Sequence, residues 1–214
     1  IYPVAGCLSD KARLVTVPVQ FLIGVSGKKD GDEKRAMVNR ENSGILDKLK
    51  GGDLRSIGKA DEVVAEVLGN PALFGEVFQG MKSDDPLLRM RAADVIEKVS
   101  KIHPEYLMPY KNELINELTK IEQQEVRWHV ALMFAYIELT DAEKTAVIEI
   151  LLSWLENSKS KIVKVNALEA LALIGYNDKK YRNKIIEILE EAIETGSPAM
   201  VARGKKLLAK LKKS

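Results

Sequence analysis

The chain has 214 residues, of which 46% are hydrophobic and 30% are charged. This balance excludes a disordered chain and is typical of a folded protein that forms one sizeable core or one helical array. A single cysteine, Cys7, excludes an intrachain disulfide and fits the cytoplasmic location that we expect. No apolar run reaches the roughly 18 residues that a transmembrane helix needs, so we expect no membrane contact.

The net charge of +2 conceals an uneven distribution of charged residues along the chain. Residues 197–214 hold six basic residues and no acidic one, and residues 1–44 carry a net charge of +2. The remaining residues, 45–196, therefore carry −6. Lys and Glu dominate the charged residues, which favours a thermophilic source.

Residues 1–44 do not share the pattern of the rest of the chain. The segment 14–23 is rich in β-branched residues and contains a proline, which predicts an extended segment. The segment 26–35 is polar and contains glycines, as linkers do. We predict an irregular or extended N-terminal extension and linker over 1–44. If translation starts at Met37, residues 1–36 are an extension whose native or non-native origin the sequence leaves open.

A short, imperfect helical unit is predicted over residues 45–68. A helix from Ile45 to Leu49 leads it, and the segment 53–60 is a faint copy of a helix that recurs downstream. Gly51, Gly52 and Gly58 suit the loosely packed end of a stack.

The downstream helix is clearest at residues 86–99, which form an amphipathic pattern with a small-residue pair, Ala92-Ala93, in its middle. Its copies carry an aliphatic residue at equivalent positions, and these positions are separated by about 37 or 38 residues. They are Leu88, Val126, Val163 and Met200. A fixed period in this range indicates an array of repeats.

A second set of helices is predicted between these copies, roughly at 71–82, 105–122, 141–157 and 179–195. Thr140 and Glu143 have the spacing of a capping box. The other start and stop signals are capping residues before prolines and glycines where helices should end. They are Asn70-Pro71, Asp85-Pro86, Ser197-Pro198, Gly69, Gly175 and Gly196. Each repeat is thus predicted to be a pair of helices joined by a short turn.

The pattern of an aliphatic residue, an arginine, two residues and a small pair resembles that of HEAT repeats. The resemblance implies an all-α fold, a right-handed α-α superhelix (solenoid) of about five stacked helix pairs over residues 45–214. It also implies that an Asp in the turn between the two helices of a pair contacts the arginine of this pattern. That arginine is Arg55, Arg89 or Arg127 in successive copies. Asp84 is placed for this contact, whereas Ser158 stands at a later turn, so the resemblance implies only a partial Asp–Arg ladder.

The sequence offers little for catalysis. Its two histidines, His103 and His129, lie about a repeat apart, and it lacks the His-Glu steps that bind iron in HEAT-like hydroxylases. No glycine loop has the spacing of a phosphate site. We expect His103 to close a helix and His129 to pair with Glu125 one turn earlier. We therefore expect no enzyme activity, no metal and no cofactor.

A recognition surface is the remaining function class. In stacked-helix solenoids, the second helix of each pair lines the concave face. Aligning the copies predicts which residues point outward there and could bind a partner. They are Arg91, Asp94, Trp128, His129, Asn166, Glu169, Arg203 and Lys206.

The two tryptophans are predicted to differ. Trp128 either projects from the concave face as a binding hot spot or tucks sideways between repeats. Trp154 lies on an apolar stripe and is predicted to be core.

The sequence favours two functions over a third. The first is a non-catalytic scaffold, monomeric by default, that binds a protein or peptide on the concave face. The alternative is a nucleic-acid-binding protein of the DNA alkylation-repair type that uses the basic C-terminal helix, as the resemblance to HEAT-like glycosylases implies. A lyase or chaperone for a small cofactor is a third option, and no motif marks its pocket.

Overall fold

The computed structural model describes residues 44–53 and 55–213. Except for Gly44, the predicted N-terminal extension lies outside these residues, as do Cys7 and Met37. A 3-10 helix, Ile45–Leu49, opens the described part. It is followed by α1 (Ala60–Gly69), α2 (Phe74–Gly80), α3 (Pro86–Ile102), α4 (Lys111–Asn116), α5 (Gln124–Met133), α6 (Asp141–Asn157), α7 (Lys161–Asn177), α8 (Lys179–Thr195) and α9 (Pro198–Leu211).

The helices stack as a repeat array. The second helices of the pairs form one layer, in which α1 packs on α3, α3 on α5, α5 on α7 and α7 on α9. The first helices cover them, with α2 against α3, α6 against α7 and α8 against α9. The prediction of an all-α solenoid is confirmed. We call the solvent side of α1, α3, α5, α7 and α9 the second-helix face.

Helical periodicity explains why each second helix buries an apolar stripe. On α3, the side chains of Leu88, Ala92, Val95 and Val99 recur every three or four residues and are all buried. Fully burying a leucine or valine side chain contributes about 1.5–3 kcal/mol. A single pair could not cover these residues alone, and the neighbouring pairs complete the core.

Replacing Ala93 by leucine is expected to destabilise the stack by about 1–3 kcal/mol through overpacking. The Ala93 side chain is fully buried in α3, where no space remains for three more carbons. Thermal melting of the Ala93→Leu variant measures the effect. An unchanged midpoint would show that this side of α3 is not packed as described.

Two glycines allow close helix contacts inside the array. A Cβ at Gly175 would lie 3.0 Å from Cδ1 of Ile185, and one at Gly204 would lie 2.9 Å from Cγ1 of Ile193. The prediction that Gly175 ends a helix is wrong, because α7 continues to Asn177. The residue is required for the approach of α8 rather than for a stop.

The basic residues near the start of the second helices contact backbone carbonyls of the preceding turn. Arg89 Nη1 donates to the Ser83 carbonyl at 2.7 Å and to the Asp84 carbonyl at 3.3 Å. Arg127 Nε donates to the Ile121 carbonyl at 2.9 Å. Asp84 therefore contributes its backbone, and the described residues contain no Asp–Arg pair at these turns.

The later copy keeps this contact with a lysine. Lys164 Nζ donates to the Glu156 carbonyl at 3.1 Å. The last carbonyls of a helix have no partner within that helix. A cationic side chain at this position donates hydrogen bonds to such carbonyls in these repeats.

The first unit differs from its prediction. In the faint copy, the described residues 53 and 55–59 are not helical, because the second helix, α1, begins only at Ala60. Gly51, Gly52 and Gly58 adopt φ values of 74°, 87° and 56°, which favour glycine and prevent a regular helix in this segment.

The first helix of the third unit is also interrupted, whereas the sequence predicted a continuous helix over 105–122. It consists of the 3-10 turns Pro104–Tyr106 and Met108–Tyr110, then α4, then the 3-10 turn Leu118–Lys120. Pro109 lacks a backbone N–H and cannot join an i→i−4 ladder, so an α-helix forms only after it.

The predicted helix ends are largely correct. The helices predicted at 141–157 and 179–195 have these bounds in the structure. Thr140 and Glu143 form the reciprocal capping box, and Asp85 accepts from the N–H of Leu87. Asn70 and Ser197 make no side-chain cap bond, although each precedes a helix.

Candidate functional site

Arg91, predicted to point outward, is buried with 2% of its surface exposed. Its guanidinium fills the irregular loop of the first unit and donates to the carbonyls of Leu49 (2.9 Å), Gly51 (2.6 Å), Ser56 (3.0 Å) and Asp53 (3.3 Å). The prediction of an outward Arg91 is wrong, because the missing first turn of the second helix leaves a space and free carbonyls that this side chain fills.

Asp94 is also largely buried, with 9% of its surface exposed, which contradicts its predicted outward position. Lys98 Nζ lies 2.8 Å from Asp94 Oδ2 and 2.7 Å from Asp61 Oδ1 on α1. Burial would lower the pKa of Lys98, but the bonds to Asp61 and Asp94 outweigh it and raise this pKa. Lys98 thus joins the first two second helices.

His129 continues these contacts from α5. Its Nδ1 lies 3.7 Å from Glu97 Oε2, and its Nε2 lies 4.0 Å from Asp94 Oδ1. The predicted local pair with Glu125 is wrong, because the ring points across to α3. Position 129 faces the neighbouring second helix rather than the next turn of its own helix.

Tyr136, just beyond α5, completes this group of side chains. Its hydroxyl donates to Glu97 Oε1 at 2.6 Å. Burial and this bond to a carboxylate raise the pKa of Tyr136. Burial would raise the pKa of Glu97, but the nearby His129 ring and the hydrogen bond from Tyr136 outweigh it, so this pKa is lowered.

Trp128 is half-buried and packs against the core. Its ring meets the His129 ring edge-on, with centroids 5.8 Å apart. Its backbone carbonyl accepts a 3.0 Å bond from Asn166 Nδ2 on α7. The ring is therefore partly covered, and the choice between the two predicted placements stays a prediction.

The last three predicted residues lie on α7 and α9. Arg203 on α9 forms an ion pair with Glu169 on α7, and both are half-buried. Lys206 is exposed. Lys206 is therefore the predicted site residue that remains exposed, whereas the other seven are partly or largely buried.

These contacts form one series of polar side chains along the second-helix face, from α1 to α9. We call it the polar row; it consists of Asp61, Asp94, Glu97, Lys98, His129, Tyr136, Asn166, Glu169 and Arg203. The sequence prediction did not include four of these residues. Glu97 and Lys98 could have been found, because they lie three and four positions after Asp94 on the same side of α3.

Replacing Glu97 by glutamine is expected to remove a pH-dependent part of the stability. The pKa of Glu97 is lowered from its ordinary value of 4.5, so its charge stabilises the fold above that pH. This contribution disappears as the pH falls through the lowered pKa. We expect the variant to lose about 1 kcal/mol at pH 7 and less as the pH falls below 4.5. Urea unfolding at several pH values measures the difference, and a difference that grows on acidification would contradict this assignment.

The side chains of the polar row connect neighbouring second helices. Its carboxylates, cations, His129 and Tyr136 contact one another. Among the described residues, no group of three or more His, Cys, Asp or Glu side chains is placed to hold a metal ion. Nor is any helix in the described ranges long and apolar enough to cross a membrane.

Comparison with known proteins identifies the repeat. The family model of the HEAT repeat domain matches residues 52–195, which is more than half of the 214-residue chain. Comparisons with curated proteins and with solved structures found no match. The match spans the helices α1 to α8, whose paired stacking was described above. The chain therefore belongs to the HEAT repeat family.

Proposed function

We propose that the protein is a non-catalytic interaction scaffold that binds a protein or peptide on its second-helix face. HEAT repeats generally mediate protein interactions, and stacked repeats provide extended binding surfaces. This family property supports the class of function, and the residues below support the choice of face.

The polar row is the observation that carries the proposal. Its side chains link consecutive second helices, from the Asp61–Lys98 contact of 2.7 Å to the Asn166–Trp128 bond of 3.0 Å. A surface that is held in place before binding loses less conformational entropy when a partner binds. The exposed side chains beside the row, such as Lys101 on α3, would then contact the partner.

Nucleic-acid binding through the C-terminal helix has less support. Arg203 is paired with Glu169, and Lys212 Nζ lies 2.7 Å from Glu190 Oε1. Since affinity for nucleic acid grows with the number of phosphates neutralised, cations already paired within the protein contribute less.

The test is quantitative affinity capture from the native organism with two double variants, each first shown by thermal melting to be as stable as the unmodified chain. Lys101→Glu with Leu132→Asp changes the second-helix face, whereas Glu149→Lys with Lys184→Glu changes exposed residues of the first helices α6 and α8. We expect the first variant to lose its partner at least tenfold and the second to retain it. Loss of the partner from the first-helix variant alone would contradict the proposal, as would capture of nucleic acid without protein.

A further inference from the structure

A groove of about 230 Å³ lies on the second-helix face between α7 and α9. Its floor is apolar and formed by residues of both helices. They are Ala172, Leu173, Tyr176, Leu207 and Leu211. Tyr176 is 42% exposed. The groove therefore offers apolar surface that the protein itself leaves partly uncovered.

The rim of the groove is positively charged. Arg203, Lys206 and Lys210 line it, and Glu169 is the single acidic residue among its lining side chains. Glu169 is already paired with Arg203, and Lys210 Nζ lies 5.1 Å from the centre of the Tyr176 ring. The net charge of the rim thus attracts an anionic ligand.

A second groove differs from this one in the charge of its rim. It has a volume of about 600 Å³ and lies at the turns that connect α6 with α7 and α8 with α9. Its rim contains Glu156 and Glu191 as well as Lys159, Lys161 and Lys164, so both signs of charge are present. Only the smaller of these two grooves combines an apolar floor with a rim of predominantly one sign.

The volume of the groove between α7 and α9 indicates the size of the group that it can bind. Sites for small molecules and cofactors usually measure about 300–1,000 Å³, whereas a cavity of about 150 Å³ accommodates a benzene ring. A groove of about 230 Å³ therefore fits one apolar or aromatic side chain. A peptide that inserts such a side chain and places carboxylates against the lysines matches both properties.

We propose that the groove between α7 and α9 binds an acidic peptide segment of a partner protein, with an apolar residue as its anchor. The inference rests on the proposed function and specifies the partner's chemistry at one end of the face. Nucleic acid would use the lysines but not the apolar floor, since phosphate contacts alone need no such floor.

Fluorescence anisotropy with the full chain tests the proposal. The probe is a fluorescein-labelled short peptide of Glu and Leu whose leucines share one helical side. We expect saturable binding that weakens at least tenfold in the Lys206→Glu, Lys210→Glu variant. The matched control, Lys179→Glu with Lys184→Glu, reverses two exposed lysines of the first helix α8 and should bind within about twofold of the unmodified chain.

Two further probes distinguish the apolar contribution to peptide binding from the charged one. Replacing the leucines of the peptide by serine should weaken binding at least tenfold, and a DNA duplex should not compete at equal charge concentration. The proposal is overturned if the peptide does not bind, if the serine peptide binds equally well, if the control variant weakens binding as much as the groove variant, or if DNA competes.

Sedimentation distinguishes a peptide of a partner protein from a second copy of this chain as the occupant. If a second copy filled the groove, sedimentation would show a dimer that salt or the Lys206→Glu, Lys210→Glu change dissociates, and this would also overturn the proposal. A failed peptide titration together with partner loss from the Lys101→Glu, Leu132→Asp variant would reject the groove alone. Failure of both experiments would reject the proposed function as well.

Discussion

Replacing Arg91 by alanine is expected to lower the free energy of unfolding by about 3 kcal/mol. The side chain is 2% exposed, and its guanidinium donates to several carbonyls of the loop before α1. Hydrogen bonds that involve a charged group contribute about 1.5–3 kcal/mol each. Water can reach part of the loop in the variant, so the net loss is smaller than their sum. Urea unfolding followed by circular dichroism measures it.

Arg91→Lys is the matched control for charge. Lysine keeps the charge but cannot reproduce the planar fork of five N–H donors, so we expect it to recover less than half of the loss. Gly58→Ala should also destabilise, because φ at this residue is +56° and the added Cβ would lie 2.7 Å from Arg91 Cζ. If Arg91→Ala unfolds at the same urea concentration as the unmodified chain, the side chain is exposed as the sequence first predicted.

Replacing Trp154 by alanine is expected to cost about 3–5 kcal/mol. Trp154 lies on α6, is 7% exposed and belongs to the hydrophobic core, which confirms the sequence prediction. Its ring centroid is 6.3 Å from that of Phe134, and Arg127 Cζ lies 5.7 Å from it. The variant would lose these contacts and leave a cavity that the surrounding helices fill only partly.

Trp128→Ala is the matched comparison within the same chain. Trp128 is half-buried, so its removal should cost about 1–2 kcal/mol, and both variants can be measured by the same urea titration. Equal losses, or a larger loss from Trp128→Ala, would contradict the different burial of the two tryptophans. Loss of partner binding from Trp128→Ala without loss of stability would support its interpretation as an exposed hot spot.

The helices with strong local signals could be predicted from the sequence. Thr140 and Glu143 define the start of α6, and the apolar stripe defines its length, so local chemistry was sufficient. The interruption at Pro109 was also present in the sequence, but the apolar period of the surrounding residues masked it. A proline that allows a 3-10 turn and one that ends a helix look alike without the neighbouring structure.

The candidate site was less predictable, because the exposure of its residues depends on contacts between repeats. Aligning the copies predicts the side of the helix on which a residue lies. It does not predict whether the neighbouring repeat covers that residue. Arg91 is buried because the first unit lacks one helical turn, and this defect lies about forty positions earlier in the chain. His129 illustrates the same limit, since its partners are on α3 rather than on its own helix.

Site-specific photo-cross-linking tests the central claim most directly, which is that the second-helix face binds the partner. A photoreactive amino acid would replace Lys101 or Leu132 on this face and, as controls, Glu149 or Lys184 on the first helices. We expect Lys101 and Leu132, on consecutive repeats, to cross-link the same protein, and the two control positions to give no adduct with it. Adducts with that protein from Glu149 and Lys184 but not from Lys101 and Leu132 would contradict the account.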